Sequence, residues 1–236
     1  MFLSMLLSGD IKGALISFLM ALPIILFSLS LHEAAHAYVA YKLGDPTARN
    51  LGRMTLNPFK HLNIMGFISM LLVGIGWANP VPINARNFKN PRNGMAISAL
   101  AGPVSNLLLG IIFAIASAIL LKFELFALIP IKGEIYLYGS LPAYYVYIFL
   151  FSAATLNLSL AVFNMIPAPP FDGSRILYVF LPPKYYFSVM KYERYIGMGI
   201  LALCILLSNI GIDILGIIID PLIDLVYLIF GVHRIM

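Results

Sequence analysis

From Ala14 to Tyr41 the chain is apolar over a length that can cross a bilayer, and Glu33 is the one formally charged residue within it. A spanning helix needs roughly 20 apolar residues. Ionisable groups at that depth cost about 2.5–3.5 kcal/mol each on insertion scales. His32, Glu33 and His36 fall together in this run as His-Glu-Ala-Ala-His, so they require a compensating partner. A metal ion is the simplest one.

The spacing supports that reading. Residues four apart share a helix face, so His32 and His36 can turn imidazole nitrogens toward one ion while Glu33, on the adjacent edge, reaches a bound water. In a soluble helix the same pattern also describes two surface histidines and an unrelated glutamate. In a lipid-facing run, unpaired groups of this kind are costly, which favours the metal.

Hydrophobic residues make up 61% of the 236-residue chain and charged residues 11%, with a mean hydropathy of +0.94. These values exclude an ordinary soluble domain. The sequence is expected to form a single membrane-embedded domain, residues 1–236, all-α and polytopic. Met1 to Leu7 is too short to span and lacks a signal-peptide pattern, so the first span is expected to be retained. The net charge of +5 lies in loops beside the spans, where it reports orientation; no nucleic-acid partner is read from it. The single cysteine, Cys204, falls within an expected helix and forms no intramolecular disulfide.

About five transmembrane helices are expected, at residues 14–41, 94–121, 141–165, 192–208 and 211–231. Between the first two, Ile64 to Ala78 is short and contains Gly66, Gly74 and Gly76 before Asn79-Pro80-Val81-Pro82. It reads as a re-entrant or hairpin segment. Basic clusters flank it on both sides, and a dip that returns keeps both cytoplasmic. Twelve lysines and arginines then lie inside, with Lys12, Lys122 and Lys132 outside, of 15 in all. The motif falls toward the cytoplasmic half of the first span. Non-helical backbone at that depth implies a cavity, and an extended 64–78 segment could pair with a substrate strand or simply plug the bundle.

A catalytic zinc takes three protein ligands and keeps one position for water. Once Asp10, Glu124, Glu134 and Asp213, near the outer side, and Asp45, in a Gly-Asp-Pro turn just past the first span, are set aside, Asp172, Glu193, Asp220 and Asp224 remain. Asp172 follows a run containing Pro167, Pro169 and Pro170 and precedes Gly173. Broken backbone of that kind lines sites in membranes; a surface Asp-Gly turn is the other reading.

His32-Glu33-Ala34-Ala35-His36, Ala101-Gly102-Pro103-Val104-Ser105-Asn106 and Asn164-x-x-Pro167 leading to Asp172-Gly173 together resemble the site-2 protease family of intramembrane zinc metalloproteases. The resemblance runs from about Leu29 to Arg175. It implies one zinc ion per chain held by His32, His36 and Asp172, with Glu33 as catalytic base. It also implies that Asn106 and Asn164 hold substrate or order the site; interhelical hydrogen bonding is the other reading of both. Gly102-Pro103 is also consistent with a helix start. Phe171 stands where the family usually has leucine. At 236 residues the chain is expected to lack an inserted PDZ or nucleotide-binding regulatory domain, and it resembles the small bacterial or archaeal type, expected as a multi-pass protein of a prokaryotic cell membrane. Its substrates would be transmembrane proteins, cut within or near their helices in regulated intramembrane proteolysis.

Two other functions remain open from the residues. Asp213, Asp220 and Asp224 recur along the last segment as a stripe that could conduct protons or ions, making a transporter. A non-catalytic member could bind membrane clients without cutting, although it would have no need of Glu33.

Overall fold

The computed structural model describes residues 8–73, 78–131 and 134–232. Gly74, Gly76, Lys132 and Arg234 lie outside them.

Helix α1 (Ile11–Lys42) starts where the Asp10 carboxylate accepts from the Gly13 N–H at 2.9 Å, satisfying one of the free donors of the first turn. After a short α2 (Thr47–Asn50) and a 3-10 turn at Pro58–Lys60, α3 covers Ile64–Val73. Helix α4 (Pro91–Lys122) begins with Pro91 behind an Asn90 cap, and α5 (Leu141–Asn164) begins behind Ser140. The remaining helices are α6 (Asp172–Leu177), α7 (Pro183–Met190), α8 (Glu193–Asn209) and α9 (Ile214–Ile229).

Three of these, α1, α4 and α5, are long and apolar enough to cross a membrane. The protein is therefore an integral membrane protein of mainly helical architecture. Helices α8 and α9, expected as the fourth and fifth spans, have 17 and 16 residues and fall short of that measure.

The all-α expectation needs one correction. Strands β1 (Phe126–Ile131) and β2 (Glu134–Gly139) form an antiparallel hairpin in which Phe126 pairs with Gly139 and Ile131 with Glu134. This stretch is rich in β-branched and aromatic residues, which suit a pleated surface better than a helix. A second correction concerns the 64–78 segment. It is not extended throughout, since Ile64–Val73 is helical. Its ends do meet, because Leu62 and Ala78 form an isolated antiparallel bridge and the Asn79 N–H donates to the His61 carbonyl at 2.8 Å.

Helix α4 is the hub, packing against α1, α5, α6 and α9. Its buried face carries Gly94, Ala96, Ser98, Ala99, Gly102, Gly110, Ala114 and Ala118. Small residues let backbones approach closely, which is how helices associate where no hydrophobic force separates protein from lipid. At Gly110 a Cβ would sit 2.8 Å from Leu158 Cγ on α5. Larger side chains fill the gap beyond: Tyr147, Leu158, Ile219, Ile223 and Tyr227 form one buried cluster. Ser117 and Tyr227 share a hydrogen bond of 2.7 Å, and Asn157 Nδ2 donates to Ser28 Oγ at 2.9 Å.

Asp45, just past α1, pins a later loop to that helix. It is 1% exposed and accepts hydrogen bonds from the Thr47 N–H and hydroxyl, the Asn84 N–H at 2.7 Å and Asn87 Nδ2 at 2.6 Å. Burial pushes the carboxyl pKa up, but these donors together outweigh it and hold it below the ordinary 3.8. A depressed folded-state pKa stabilises the fold above the unfolded value, and that stabilisation is lost as pH falls through the folded one. Asp45→Asn should therefore lose on the order of 2 kcal/mol near neutral pH, the scale of a charged hydrogen bond. Thermal unfolding in detergent should show the gap from wild type narrowing as pH drops below about 4.

Candidate metal centre

The metal-ligand candidates come from two distant parts of the chain. His32 and His36 lie one turn apart on α1, 6% and 4% exposed. Asp172 is the first residue of α6. Pro169 and Pro170 precede it, where an α-helix is disfavoured, and Phe163 and Phe171 meet edge to face at 4.5 Å across the break. Gly173 permits the tight return, since a Cβ there would lie 2.4 Å from the Ile166 carbonyl oxygen.

These elements bring three atoms together. His32 Nε2 lies 3.0 Å from Asp172 Oδ2, His36 Nε2 lies 3.1 Å from the same oxygen, and the two nitrogens are 3.0 Å apart. Among the described residues, His32, His36 and Asp172 form a group able to hold a metal.

The outer ring nitrogens reveal what the inner ones can do. His36 Nδ1 is 2.7 Å from the Ser98 carbonyl oxygen, which only accepts, so the proton sits on Nδ1 and Nε2 presents a lone pair. His32 Nδ1 donates to Asn106 Oδ1 at 3.2 Å. With both rings neutral, three lone-pair atoms thus face one another. A cation relieves that repulsion, and two imidazoles with one carboxylate suit zinc. Contacts that orient the outer nitrogen are the usual support for such ligands.

Serine 98, Gly102 and Asn106 stand four residues apart on one face of α4, against the histidines. At Gly102 a Cβ would fall 2.4 Å from His36 Nε2 and 2.6 Å from His32 Cε1. Gly102-Pro103 is therefore no helix start: it lies inside α4, where glycine admits the imidazoles. The four-residue spacing from Asn106 was the signal that could have found Gly102 in the sequence.

Residues 20–207 match the profile of peptidase family M50. The chain belongs to that family. Among its relatives, the Bacillus subtilis (strain 168) protein named "Putative zinc metalloprotease YwhC" is 39% identical over 171 residues, covering 72% of this chain and 73% of the relative. The Methanocaldococcus jannaschii protein named "Zinc metalloprotease MJ0392" is 30% identical over 199 residues, 84% of this chain; the match spans 45% of that longer protein. No solved structure matches. The protein is a membrane zinc metalloprotease of the site-2 protease family, as the three motifs implied.

The other candidates sit differently. Glu33 is partly buried, and its Oε2 accepts from the Val81 N–H at 2.7 Å. Asn164 Nδ2 donates to the Leu160 carbonyl of its own helix at 2.9 Å, and no described hydrogen bond links it to the ligand group. Asp213 caps α9 by accepting from the Gly216 N–H at 3.0 Å, which gives one member of the acidic stripe a structural role.

Gly102→Ala should expel the metal while leaving the helices intact, because overpacking a close-packed site forces its side chains off their rotamers. Metal analysis of the purified variant should find zinc reduced at least about tenfold, with helical circular dichroism unchanged; a full complement of zinc would contradict the contact.

Proposed function

We propose that this protein hydrolyses peptide bonds within or near the transmembrane helices of membrane-protein substrates. The observation that carries this reading is the meeting of His32, His36 and Asp172 beside Glu33 on a helix long and apolar enough to span. The arrangement supports zinc binding by those three residues, with Asn106 and the Ser98 carbonyl orienting the imidazoles.

Zinc, when bound, supplies Lewis acidity, lowering the pKa of its water toward about 7 and polarising a peptide carbonyl. Glu33, one residue from His32, accepts the proton of the attacking water. It then delivers that proton to the leaving amide nitrogen. Asn164, at the end of α5 before the Pro167 break, is assigned to substrate holding by the family motif alone. A peptide bond within a helix is shielded by its own hydrogen bonds, so substrates with helix-breaking residues should be preferred.

The reading extends to topology. The basic loops flanking residues 64–78 support a site that opens toward the cytoplasmic side. α8 and α9 complete a five-span single domain if both cross with local thinning of the bilayer.

Cleavage of a reporter transmembrane helix by the zinc-loaded protein in detergent tests this. Glu33→Gln should lower cleavage by about 10²–10⁴-fold, the usual worth of a general base, with zinc retained. Asp172→Asn should lose zinc and activity together. Equal cleavage by wild type and Glu33→Gln would remove Glu33 from the mechanism, and zinc-loaded protein that cuts no helix would favour client binding.

A further inference from the structure

The carboxylate of Glu33 meets a backbone group that no motif announces. Its Oε2 accepts from the Val81 N–H at 2.7 Å. Proline at 80 and at 82 leaves Val81 as the sole amide donor of that tripeptide, because proline has no N–H. The segment thus presents one donor, and that donor is spent on Glu33.

The segment is also anchored. The Val81 side chain is 5% exposed and packs in a buried cluster with Ala37 and Ala48. Arg53 Nη2 donates to the Asn79 carbonyl at 2.7 Å and to the Pro80 carbonyl at 3.3 Å. The Pro80 carbonyl and the Val81 N–H belong to one peptide group, so Arg53 holds one end of it while Glu33 takes the other. Asn79 is clasped as well: its Nδ2 donates to the Leu62 carbonyl at 2.9 Å and its Oδ1 accepts from Asn63 Nδ2 at 2.8 Å.

We infer that the Pro80–Val81 peptide is a positioning group for Glu33, and that Arg53 is the side chain that positions this peptide. Glutamate has three rotatable bonds, and a base must stay within hydrogen-bond reach of the proton it takes. One fixed donor on Oε2 selects an orientation and leaves Oε1 for the water. The packing of Val81 and the Arg53 bonds hold that donor still, which lowers the entropy lost on reaching the reactive geometry. The inference rests on the proteolytic role of Glu33 proposed above, but the bond itself can be tested without activity.

Two measurements decide it, both on the full-length protein in detergent. The first is amide hydrogen exchange at Val81 by nuclear magnetic resonance on valine-labelled protein. Glu33→Ala should speed exchange at Val81 on the order of tenfold or more, the loss of one partnered bond, while valines outside this segment are unchanged. Unaltered protection at Val81 would overturn the inference whatever the activity.

The second replaces Val81 by its α-hydroxy acid, which keeps the side chain, removes the N–H and weakens the Pro80 carbonyl as an acceptor, so that it acts on the one peptide group that Glu33 and Arg53 share. Cleavage should lose about 10–100-fold in kcat, the scale of a displaced catalytic group, with KM, zinc content and melting temperature held. Arg53→Ala should follow the same pattern, and Arg53→Lys, which restores a donor, should recover most of kcat. An ester protein with wild-type kcat would overturn the inference. So would an Arg53→Ala that loses zinc and melting temperature in step with kcat, since that marks a purely structural residue. Wild-type protein that binds zinc, cuts nothing and still shows the Glu33-dependent exchange would sink the proteolytic reading and uphold the bond.

Discussion

Three lone-pair atoms, His32 Nε2, His36 Nε2 and Asp172 Oδ2, lie within 3.1 Å of one another in a largely buried site. With both rings neutral, their lone pairs and the carboxylate repel one another unless a cation sits among them. The rest of the architecture answers this demand. The Ser98 carbonyl and Asn106 hold the outer nitrogens, so both imidazoles present the same face inward. The proline-rich break after α5 delivers the carboxylate. Because its ligands come from both α1 and α6, metal binding and the packing of α1, α4 and α6 are expected to be coupled.

Helix α4 makes that convergence possible by being thin. Glycine at 102 lets it press against the imidazoles, and glycine at 110 lets it press against Leu158 on α5. Lipid is as apolar as leucine, so helices gain by close van der Waals approach and buried polar pairs rather than by hiding greasy faces from water. The Asn157–Ser28 and Ser117–Tyr227 bonds follow the same rule. The first ties α5 to α1 one turn before His32, which keeps the ligand-bearing stretch of α1 in place.

The loop between α1 and α4 works by a different principle. Residues 61–63 and 78–87 are held by hydrogen bonds of the Asn79, Arg53 and Asp45 side chains, to backbone and to other side chains, and by the packing of Val81. None of these residues belongs to a pattern with a helical or strand period, and so none announced itself. The hairpin at 126–139 escaped notice for a related reason: between two strongly apolar helices its short strands carry little signal. The helical content of 64–73 was masked by glycines that argued for irregular backbone.

The sequence alone determined what lies within one helical period. It set the apolar runs, the i to i+4 pairing of His32 and His36, and the broken backbone before Asp172. These are local, because residues four apart are neighbours on any helix. Residue spacing could not say which carboxylate meets the histidines, since His32 and Asp172 are 140 positions apart and several acidic residues share a plausible depth; only the family resemblance named Asp172. Nor could the sequence show that the Ser98 carbonyl meets His36 or that the Val81 amide meets Glu33, since a backbone carbonyl or amide carries no signature in residue type. Packing of α1 against α4, and the loop folded over both, decided those contacts.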